Sequence, residues 1–383
     1  MAAPRLLFYF LHLLGVGHVH RAKRLIEGFA DQGIAVDVIY GGHDIGERFA
    51  AESIHYLPPI AAKDASYASY VDADGEPLGE AFMEARKASL LNHLETLKPD
   101  SVLIEAWPFG RRIVRHEIIA MMEALAKRPT QPLRVTSVRD ILQPRKKGRA
   151  EETCETITRH IDHVLVHSDP SVIPLDATFP LAKRIADKLC YTGFVVPSIN
   201  MDANVRPFDV IVTCGGGGFG FEMLETAMHS SVSGPLASAS WCLATGPHMN
   251  ESDVAKLRNA APANVTVVER LENLSAHMAK AKLSISQCGY NTAMDALAAG
   301  QISDCHAIFI PYDTTGQSEQ IKRAELLAKR GLAQCLPQSA LTKEALEAAI
   351  QNSLNSPKID AQIDFKGVET SARLMRTWLE ERA

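Results

Sequence analysis

The sequence lacks the features that mark several large classes of protein. Its seven cysteines form no C-x-x-C pair and have no histidine partners at zinc spacing, so they indicate no zinc domain. We expect them to be reduced, as in the cytosol. The formal net charge is −5, without the strong positive excess of a nucleic-acid-binding domain. We therefore expect no nucleic-acid partner.

Long apolar runs, internal repeats and a convincing metal motif are also missing. Residues 6–16 are apolar but too short to cross a bilayer, and neither a basic cluster before them nor a small-residue cleavage site after them suggests a signal peptide. Within them, residues 6–13 are predicted to form the first buried strand, and the spacing of Val19, Ala22, Ile26 and Phe29 predicts the first helix. The Asp-x-Asp sequence at Asp72 to Asp74 does not end a predicted strand, and we interpret it as a solvated turn.

The length and the alternation of elements predict an α/β protein with two domains. The chain has 383 residues, of which 46% are hydrophobic and 22% charged, as in ordinary globular proteins. Short apolar strands alternate with amphipathic helices throughout, which indicates two doubly wound parallel sheets. We assign residues 1–197 to the first domain, 198–207 to a polar, proline-flanked linker and 208–360 to the second domain, with a last helix within residues 361–383. Residues 61–80 are predicted to be a long surface loop, and residues 191–196 the last strand of the first domain.

The stretch 283–331 organises the second domain. It reads as strand, glycine turn, helix, strand, polar loop and helix, a unit typical of parallel sheets. The first of these helices is predicted to open near Asn291 and Thr292, whose side chains can cap it, and to end at Gly300. Because parallel sheets bind ligands beyond the carboxyl ends of their strands, the polar residues of the two loops are candidate ligand contacts.

Two glycine turns are candidates for contact with phosphate. Gly215 to Gly218 follow a predicted strand and precede a helix, so that backbone N–H groups can approach a diphosphate. The alternative is a tight turn in which glycine serves packing. In the first domain, Gly15-x-Gly17 precedes His18, whose imidazole can accept a proton from a hydroxyl at neutral pH. His18 can equally neutralise a diphosphate or cap the helix.

A strand-end carboxylate followed by an aromatic and basic stretch is the other candidate. Glu105 ends a predicted strand and precedes the sequence Trp-Pro-Phe-Gly-Arg-Arg, which ends in Arg111 and Arg112. Glu105 is the second candidate for the base, after His18. The two arginines either bind an acceptor or belong to a solvated helix face. The basic residues at 145–149 are more typical of a solvated loop, although they can also meet anionic lipid head groups.

The order of polar residues in the second half resembles family 28 glycosyltransferases. The resemblance rests on Gly289-x-x-Thr292-x-x-Asp295, on a strand ending in Ile-Pro, and on the pair Glu319-Gln320. It implies the GT-B architecture, in which two Rossmann-like domains face each other across a cleft and the last helix returns to the first domain. It also implies transfer of a sugar from a nucleotide diphosphate sugar, UDP above all, to an acceptor hydroxyl, with inversion and without a metal ion or other cofactor.

The resemblance also implies roles for individual residues. Asp295 would hold the ribose, Thr292 would face the phosphates, Glu319 and Gln320 would read the sugar, and Leu271 would lie near the base. The chain departs from the family where Asp295 replaces a Glu, Glu319 a Gln, and Gly217 a Ser. The predicted donor-binding set is Gly15, Gly17, Gly215, Gly216, Gly217, Gly218, Leu271, Gly289, Asn291, Thr292, Asp295, Glu319 and Gln320. The predicted acceptor-side set is Arg21, Arg111, Arg112 and Arg139, and His18 and Glu105 are the predicted catalytic residues.

The stretch from Glu105 to Arg112, together with the strand ends at Arg139 and at residues 166–170, resembles a less studied set of predicted family 28 transferases. The acceptor stays open between a lipid-linked molecule and a polysaccharide, and the expected location is the cytoplasm, with possible contact to the inner face of the membrane. Two other functions stay open. The turn from Gly15 to Arg21 is similar to that of nucleotide-sugar hydrolases of the pseudaminic acid pathway, and a non-catalytic nucleotide-sugar binder would need no base.

Overall fold

The structure is a computed structural model that describes residues 3–64, 67–144, 146–202, 204–215, 220–313, 318–357 and 361–382. Contacts within the chain divide it into two compact units. The first unit consists of Met1–Pro170, Pro174–Val195 and Lys366–Ala383, and the second of Ser171–Ile173 and Val196–Phe365. The end of the chain therefore packs with its beginning.

Both units contain short strands, which are numbered in chain order. In the first unit they are β1 (Arg5–Phe10), β2 (Ala35–Tyr40), β3 (Ser53–Tyr56), β4 (Ala61–Ala62), β5 (Tyr70–Val71), β6 (Ser101–Glu105), β7 (Leu133–Arg139), β8 (His163–His167) and β9 (Leu189–Tyr191). In the second unit they are β10 (Val210–Thr213), β11 (Trp241–Ala244), β12 (Val265–Val268), β13 (Leu283–Ser286), β14 (His306–Phe309) and β15 (Gln334–Cys335).

Helices separate most of these strands. The α-helices are α1 (Gly17–Asp31), α2 (Glu80–Leu97), α3 (Arg115–Ala126), α4 (Arg149–His160), α5 (Phe221–Ser230), α6 (Glu251–Ala260), α7 (Leu274–Lys280), α8 (Tyr290–Ile302), α9 (Glu319–Lys329), α10 (Lys343–Asn355) and α11 (Gly367–Glu380). Short 3₁₀ segments cover Arg112–Val114, Leu175–Ala177, Ala182–Lys188 and Gln338–Ala340. In the described part of the chain, no helix is both long and apolar enough to cross a membrane.

Both main sheets are parallel and doubly wound, which confirms the predicted fold class. The first has the order β3-β2-β1-β6-β7-β8-β9 and the second the order β12-β11-β10-β13-β14-β15. The direction of winding reverses between β1 and β6 in the first sheet and between β10 and β13 in the second. Such switch points open a crevice at the carboxyl ends of the strands, where sheets of this kind bind ligands.

Strand β1 shows why the sequence of a central strand is continuously apolar. Its side chains alternate between the two faces of the sheet, so Leu7 and Tyr9 join one core while Leu6, Phe8 and Phe10 join the other. All five are fully buried. Because helices cover both faces of a parallel sheet, no position along such a strand can be polar without a partner.

The last helix completes the core of the first unit. On α11, Ala372, Met375 and Trp378 pack in the same apolar cluster as β1. The approach of α11 to α1 needs a glycine, because a Cβ on Gly28 would lie 2.4 Å from a methyl carbon of Val368. The Trp378 ring also stacks on His163, with centroids 3.9 Å apart.

Several local predictions were wrong. Residues 61–80 contain the antiparallel hairpin β4–β5, and the chain leaves the first sheet at Tyr191, earlier than residue 196. The edge strands β3 and β15 were missed, because short edge strands carry little periodic signal. The helix α4 was also missed. Helix α8 begins at Tyr290 without a side-chain cap and continues through the buried Gly300 to Ile302. Tertiary packing there outweighs the local preference of glycine to end a helix.

Candidate active site

The switch point of the first sheet brings His18 and Glu105 together. His18 lies in the first turn of α1, directly after β1, and Glu105 is the last residue of the neighbouring strand β6. The His18 Nδ1 atom is 2.7 Å from Glu105 Oε1 and 2.8 Å from Oε2. Arg21, one turn further along α1, also donates to the Glu105 carboxylate. The two residues proposed as alternative bases are therefore partners, which we call the His18–Glu105 pair.

Burial and charge set the protonation of the His18–Glu105 pair. Burial lowers the pKa of His18 to about 3, and the positive charge of Arg111 adds to this fall while Glu105 opposes it. Burial raises the pKa of Glu105, but contacts with His18 and Arg21 outweigh this effect and hold that pKa well below the usual range. At neutral pH the pair thus consists of a carboxylate and a neutral imidazole.

This protonation assigns the two ring nitrogens of His18. A carboxylate can only accept hydrogen bonds, so Nδ1 must carry the hydrogen that it donates to Glu105. The lone pair is then on Nε2. The His18 side chain is 16% exposed, whereas Glu105 is 1% exposed, so solvent or a ligand reaches the imidazole and not the carboxylate. The buried carboxylate thus holds the imidazole in one tautomer and leaves Nε2 without a hydrogen.

The predicted acceptor-side arginines have different surroundings. Arg111 acts electrostatically on both members of the His18–Glu105 pair. Arg139 ends β7, and its charge lowers the pKa of Arg111, for which burial is the larger cause. Arg112, in contrast, pairs with Glu152 of α4 at 2.6 Å. The structure thus groups Arg21 and Arg111 with the pair and Arg139 with Arg111, and Arg112 forms a separate ion pair.

His167 also belongs to this cluster, although it was not among the predicted site residues. It is the last residue of β8, is fully buried, and its Nδ1 lies 3.0 Å from Thr192 Oγ1. Burial lowers the pKa of His167 to about 3, and the charges of Arg21 and Glu105 act on it as well. Its position at a strand end next to Ser168 was the available signal in the sequence.

The switch point of the second sheet brings two turns together. Gly215 follows β10 and has a φ of +67°, a backbone conformation that favours glycine. A Cβ at Gly215 would lie 3.6 Å from Thr292 Oγ1 in the first turn of α8, so the two turns are neighbours. The predicted phosphate contacts Gly216, Gly217 and Gly218 lie outside the described residues. Asn291 shares the first turn of α8, and the buried Asp295 lies one turn further on.

Gln320 links the turns after β13 and β14. Its Oε1 accepts hydrogen bonds from the backbone N–H groups of Cys288, at 3.2 Å, and Tyr312, at 3.3 Å. Only its amide NH₂ group is left for a ligand. Its neighbour Glu319 is 9% exposed at the start of α9. The predicted sugar-reading pair is thus at the carboxyl edge of the sheet, with Gln320 also holding the backbone.

Arg323 is a buried residue of this edge that the sequence analysis missed. It is fully buried, and its Nη1 donates to the carbonyl oxygen of Cys288 at 2.7 Å. Its guanidinium lies 5.8 Å from the Tyr290 ring centroid and 3.5 Å from Glu319 Oε1. In the sequence, its position four residues after Glu319 was the available sign that the two side chains interact. Arg323 therefore holds the turn that contains Gly289, and through this turn it orients the first N–H groups of α8.

The remaining predicted contacts are at strand ends. Leu271 is partly buried between β12 and α7. Gly17 is the first residue of α1, and a Cβ on Gly15 would meet nothing within 4 Å, so the fold does not demand a glycine there. Among the described residues, no group of three or more His, Cys, Asp or Glu side chains is placed to hold a metal ion.

Comparison with solved structures identifies the fold. The chain shares its fold with MurG from Acinetobacter baumannii. The TM-score is 0.64 at 18% identity, and the match covers 98% of this chain and 100% of that one. The glycotransferase of kitacinnamycin gives a TM-score of 0.63 at 14% identity, with 99% of both chains covered. The fold is therefore the GT-B type with two Rossmann-like domains.

The second half of the chain matches a family model, and the chain is similar to curated proteins. Residues 210–371, less than half of the chain, match the model of the glycosyltransferase family 28 C-terminal domain. The UDP-N-acetylglucosamine–N-acetylmuramyl-(pentapeptide) pyrophosphoryl-undecaprenol N-acetylglucosamine transferase of Trichormus variabilis is 35% identical over 86 residues, which are 22% of this chain and 23% of the relative. Its counterpart in Synechocystis sp. is 23% identical over 190 residues, 48% of this chain and 51% of the relative. The matches thus span from about a quarter to half of these relatives, and the resemblance to family 28 is confirmed.

Proposed function

We propose that the protein is a glycosyltransferase that moves a sugar from a nucleotide diphosphate sugar to an acceptor hydroxyl without a metal ion. The observation that carries this proposal is the His18–Glu105 pair at the switch point of the first sheet, with Nδ1 2.7 Å from the carboxylate. A neutral, partly exposed imidazole oriented by a buried acid is suited to remove a proton from a hydroxyl. The family 28 match of residues 210–371 supports a nucleotide-sugar donor.

On the acceptor side, His18 Nε2 accepts the hydroxyl proton as the oxygen attacks the anomeric carbon of the donor. The Glu105 carboxylate keeps Nδ1 protonated and stabilises the imidazolium that forms. Arg21 holds Glu105 from the same helix, one turn away from His18. One base and one direct displacement invert the anomeric centre.

On the donor side, the second unit holds the nucleotide. The N–H groups at Gly215 and at the start of α8 meet the negative charge of the diphosphate, and the helix dipole stabilises the leaving group. Asp295 holds the ribose, Leu271 lies near the base, and Glu319 and Gln320 contact the sugar. We propose UDP as the nucleotide, because the curated relatives are named as UDP-N-acetylglucosamine transferases.

A panel of nucleotide sugars tests this function. The purified chain is incubated with UDP-GlcNAc, UDP-glucose, UDP-galactose or GDP-mannose, each with and without a cell lipid extract or a polysaccharide fraction, and nucleotide release and the labelled product are measured. We expect release to need one of the fractions and the label to enter it. Label in the lipid fraction would support a lipid-linked acceptor at a membrane surface. Release of free sugar at the same rate without a fraction would support a hydrolase, and tight binding without any turnover would support a non-catalytic binder.

A further inference from the structure

A second histidine at the carboxyl edge of the first sheet takes no part in the proposed mechanism. His12 follows the end of β1 by two residues and precedes His18 in the connection to α1. It is 7% exposed, and burial lowers the pKa of His12 to about 4, with smaller contributions from His43 and Arg111. At neutral pH His12 is therefore a neutral imidazole, in which one ring nitrogen carries a hydrogen and the other a lone pair.

The hydrogen bonds of Tyr40 assign the two ring nitrogens of His12. Tyr40, the last residue of β2, donates its hydroxyl hydrogen to the carbonyl oxygen of His43 at 2.9 Å, because a carbonyl oxygen can only accept. The same hydroxyl oxygen lies 2.5 Å from His12 Nδ1. Since a phenol has a single hydrogen, the hydrogen of this second bond comes from Nδ1. His12 thus carries its hydrogen on Nδ1 and its lone pair on Nε2.

Two further contacts hold the ring of His12 in place. It lies nearly parallel to the ring of Tyr40, with an interplanar angle of 16° and centroids 5.8 Å apart. A Cβ on Gly42 would lie 2.5 Å from His12 Nδ1 and 2.9 Å from Cε1, so the imidazole packs directly on the glycine. A larger residue at position 42 would displace the ring. The orientation of the imidazole is therefore fixed before any ligand binds.

A buried ion pair holds the backbone next to Gly42. Arg86 of α2 donates through Nη1 to the carbonyl oxygen of Gly41 at 3.2 Å. Through Nε it donates to Glu117 of α3 at 2.8 Å, and both charged residues are fully buried. Such a pair adds little net stability, because desolvation offsets the attraction. What it supplies here is a fixed position for the chain at residues 41 and 42, and through Gly42 for the His12 ring.

The Nε2 atom of His12 is left for a ligand. It makes no hydrogen bond with the described residues, and it is not one of their fully buried polar atoms without a partner. Nε2 therefore keeps contact with solvent. An imidazole that is oriented by its surroundings and leaves one lone pair unused is more closely specified than packing alone requires. The ligand group that suits this lone pair is a hydrogen-bond donor such as a hydroxyl.

From this geometry we propose that His12 contacts the acceptor and accepts, through Nε2, a hydrogen bond from a hydroxyl other than the one that His18 deprotonates. The inference rests on the function proposed above and adds a residue that determines its specificity. Both imidazoles follow β1, at the edge where parallel sheets bind ligands. Both present an unprotonated Nε2 from a fixed ring. Two such acceptor atoms orient a molecule with two hydroxyls in one way, so His12 selects the hydroxyl that reacts.

The tautomer of His12 is tested by NMR on the whole chain with isotope-labelled histidine. Long-range proton–nitrogen spectra separate an imidazole protonated on Nδ1 from one protonated on Nε2, and His12→Gln assigns the signal. We expect Nδ1–H, and no titration between about pH 5 and 8. Tyr40→Phe removes the atom that accepts from Nδ1 and should mix the two tautomers. Tyr56→Phe is the matched control, because Tyr56 packs edge-on against Tyr40 and is 47% exposed. A wild-type His12 protonated on Nε2 would overturn the inference.

Acylation by diethyl pyrocarbonate tests whether the lone pair is open to a ligand. The reagent attacks unprotonated imidazole nitrogen, and mass spectrometry locates the product. We expect His12 to react at about pH 6, where an ordinary histidine is mostly protonated. One of the two fractions of the transfer assay, the cell lipid extract or the polysaccharide, should suppress this reaction, whereas UDP alone should not. An unreactive His12, or a reaction that neither fraction slows, would contradict the proposed contact.

Variants separate a contact with the acceptor from a structural role. His12→Ala should raise the KM for the active fraction by about tenfold, the size of a lost hydrogen bond, and leave the KM for the nucleotide sugar within about threefold. It should also give products with more than one linkage where wild type gives one, because the second hydroxyl is no longer held. His12→Gln places an amide oxygen near the position of Nε2 and should restore part of this selectivity. A residue that only supports the fold would lower activity without changing the linkage.

The outcomes separate this inference from the proposed function. Protection of His12 by a fraction, without any transfer of sugar, contradicts only the transferase function. Transfer with a single linkage and an unchanged KM in a folded His12→Ala chain contradicts only the role of His12. If His12→Ala does not fold, Tyr40→Phe decides the question, because it keeps the aromatic ring and loses only the hydroxyl that orients Nδ1. Full selectivity in Tyr40→Phe, with the tautomers mixed, would then count against His12.

Discussion

Replacing Glu105 by glutamine removes the charge of the His18–Glu105 pair while keeping its shape. Glutamine no longer stabilises the imidazolium, and a comparable carboxylate-to-amide change in a catalytic acid–histidine pair lowers kcat about 10⁴-fold. Since general-base catalysis contributes about 10²–10⁴ in rate, we expect Glu105→Gln and His18→Ala each to lower kcat by that order. Because we propose that the second unit holds the nucleotide, donor affinity should stay within about threefold.

The two substitutions should differ in stability. Glu105 and Arg21 are 1% and 2% exposed, and breaking a buried ion pair from one side destabilises by about 3–5 kcal/mol. The His18 side chain is 16% exposed, so His18→Ala should melt close to wild type. Glu95→Gln is the control, because Glu95 makes an exposed pair with Arg128 in the same unit.

The double variant is the sharpest test of the pair. If Glu105 acts only through His18, then His18→Ala combined with Glu105→Gln should be no slower than His18→Ala alone, because residues that act as a unit are not additive. Initial rates of nucleotide release, with the fraction that supports transfer, measure this. Losses that multiply, or full turnover in Glu105→Gln, would refute the reasoning and return Glu105 to a structural role.

Four further outcomes follow from the structure. Asp295→Ala should weaken nucleotide-sugar binding by about 1–3 kcal/mol, and unchanged affinity in calorimetry on a folded variant would remove Asp295 from the ribose site. Arg323→Met releases the Cys288 carbonyl and should lower both UDP affinity, by about tenfold, and the melting temperature; intact affinity would contradict its positioning role. EDTA should leave initial rates within about twofold, because in the proposed mechanism helix and backbone N–H groups bind the diphosphate. Loss of activity that manganese or magnesium restores would count against that mechanism. Hydrogen bonds from Arg134 outweigh burial and lower the pKa of Asp162, so the ionised carboxylate stabilises the fold above a pH of about 3.9, and this contribution fades as the pH falls below that value. Asp162→Asn should therefore lower the free energy of unfolding at pH 7 by about 1–3 kcal/mol. A difference from wild type that does not change with pH would contradict this assignment.

The sequence by itself determined the central elements of the fold. Strand β1 is apolar on both faces because helices cover both, and α1 repeats its apolar residues with the helical period, so both were predicted close to their observed bounds. The glycine turns after β1 and β10 were also visible, because each interrupts the chain between an apolar strand and a helix. The residue order around Asp295 was specific enough to indicate the family that residues 210–371 match.

Tertiary structure decided what no local pattern encodes. The sequence offered His18 and Glu105 as alternatives, because they lie 87 residues apart and only the pairing of β1 with β6 makes them partners. Burial then keeps the His18 imidazole neutral, and the contacts with His18 and Arg21 keep Glu105 charged, which the pKa values in water do not reveal. Arg323 was missed, and His167 was noted only as part of a strand end, for the same reason. A buried polar residue is defined by the partners it meets, and those partners come from distant parts of the chain.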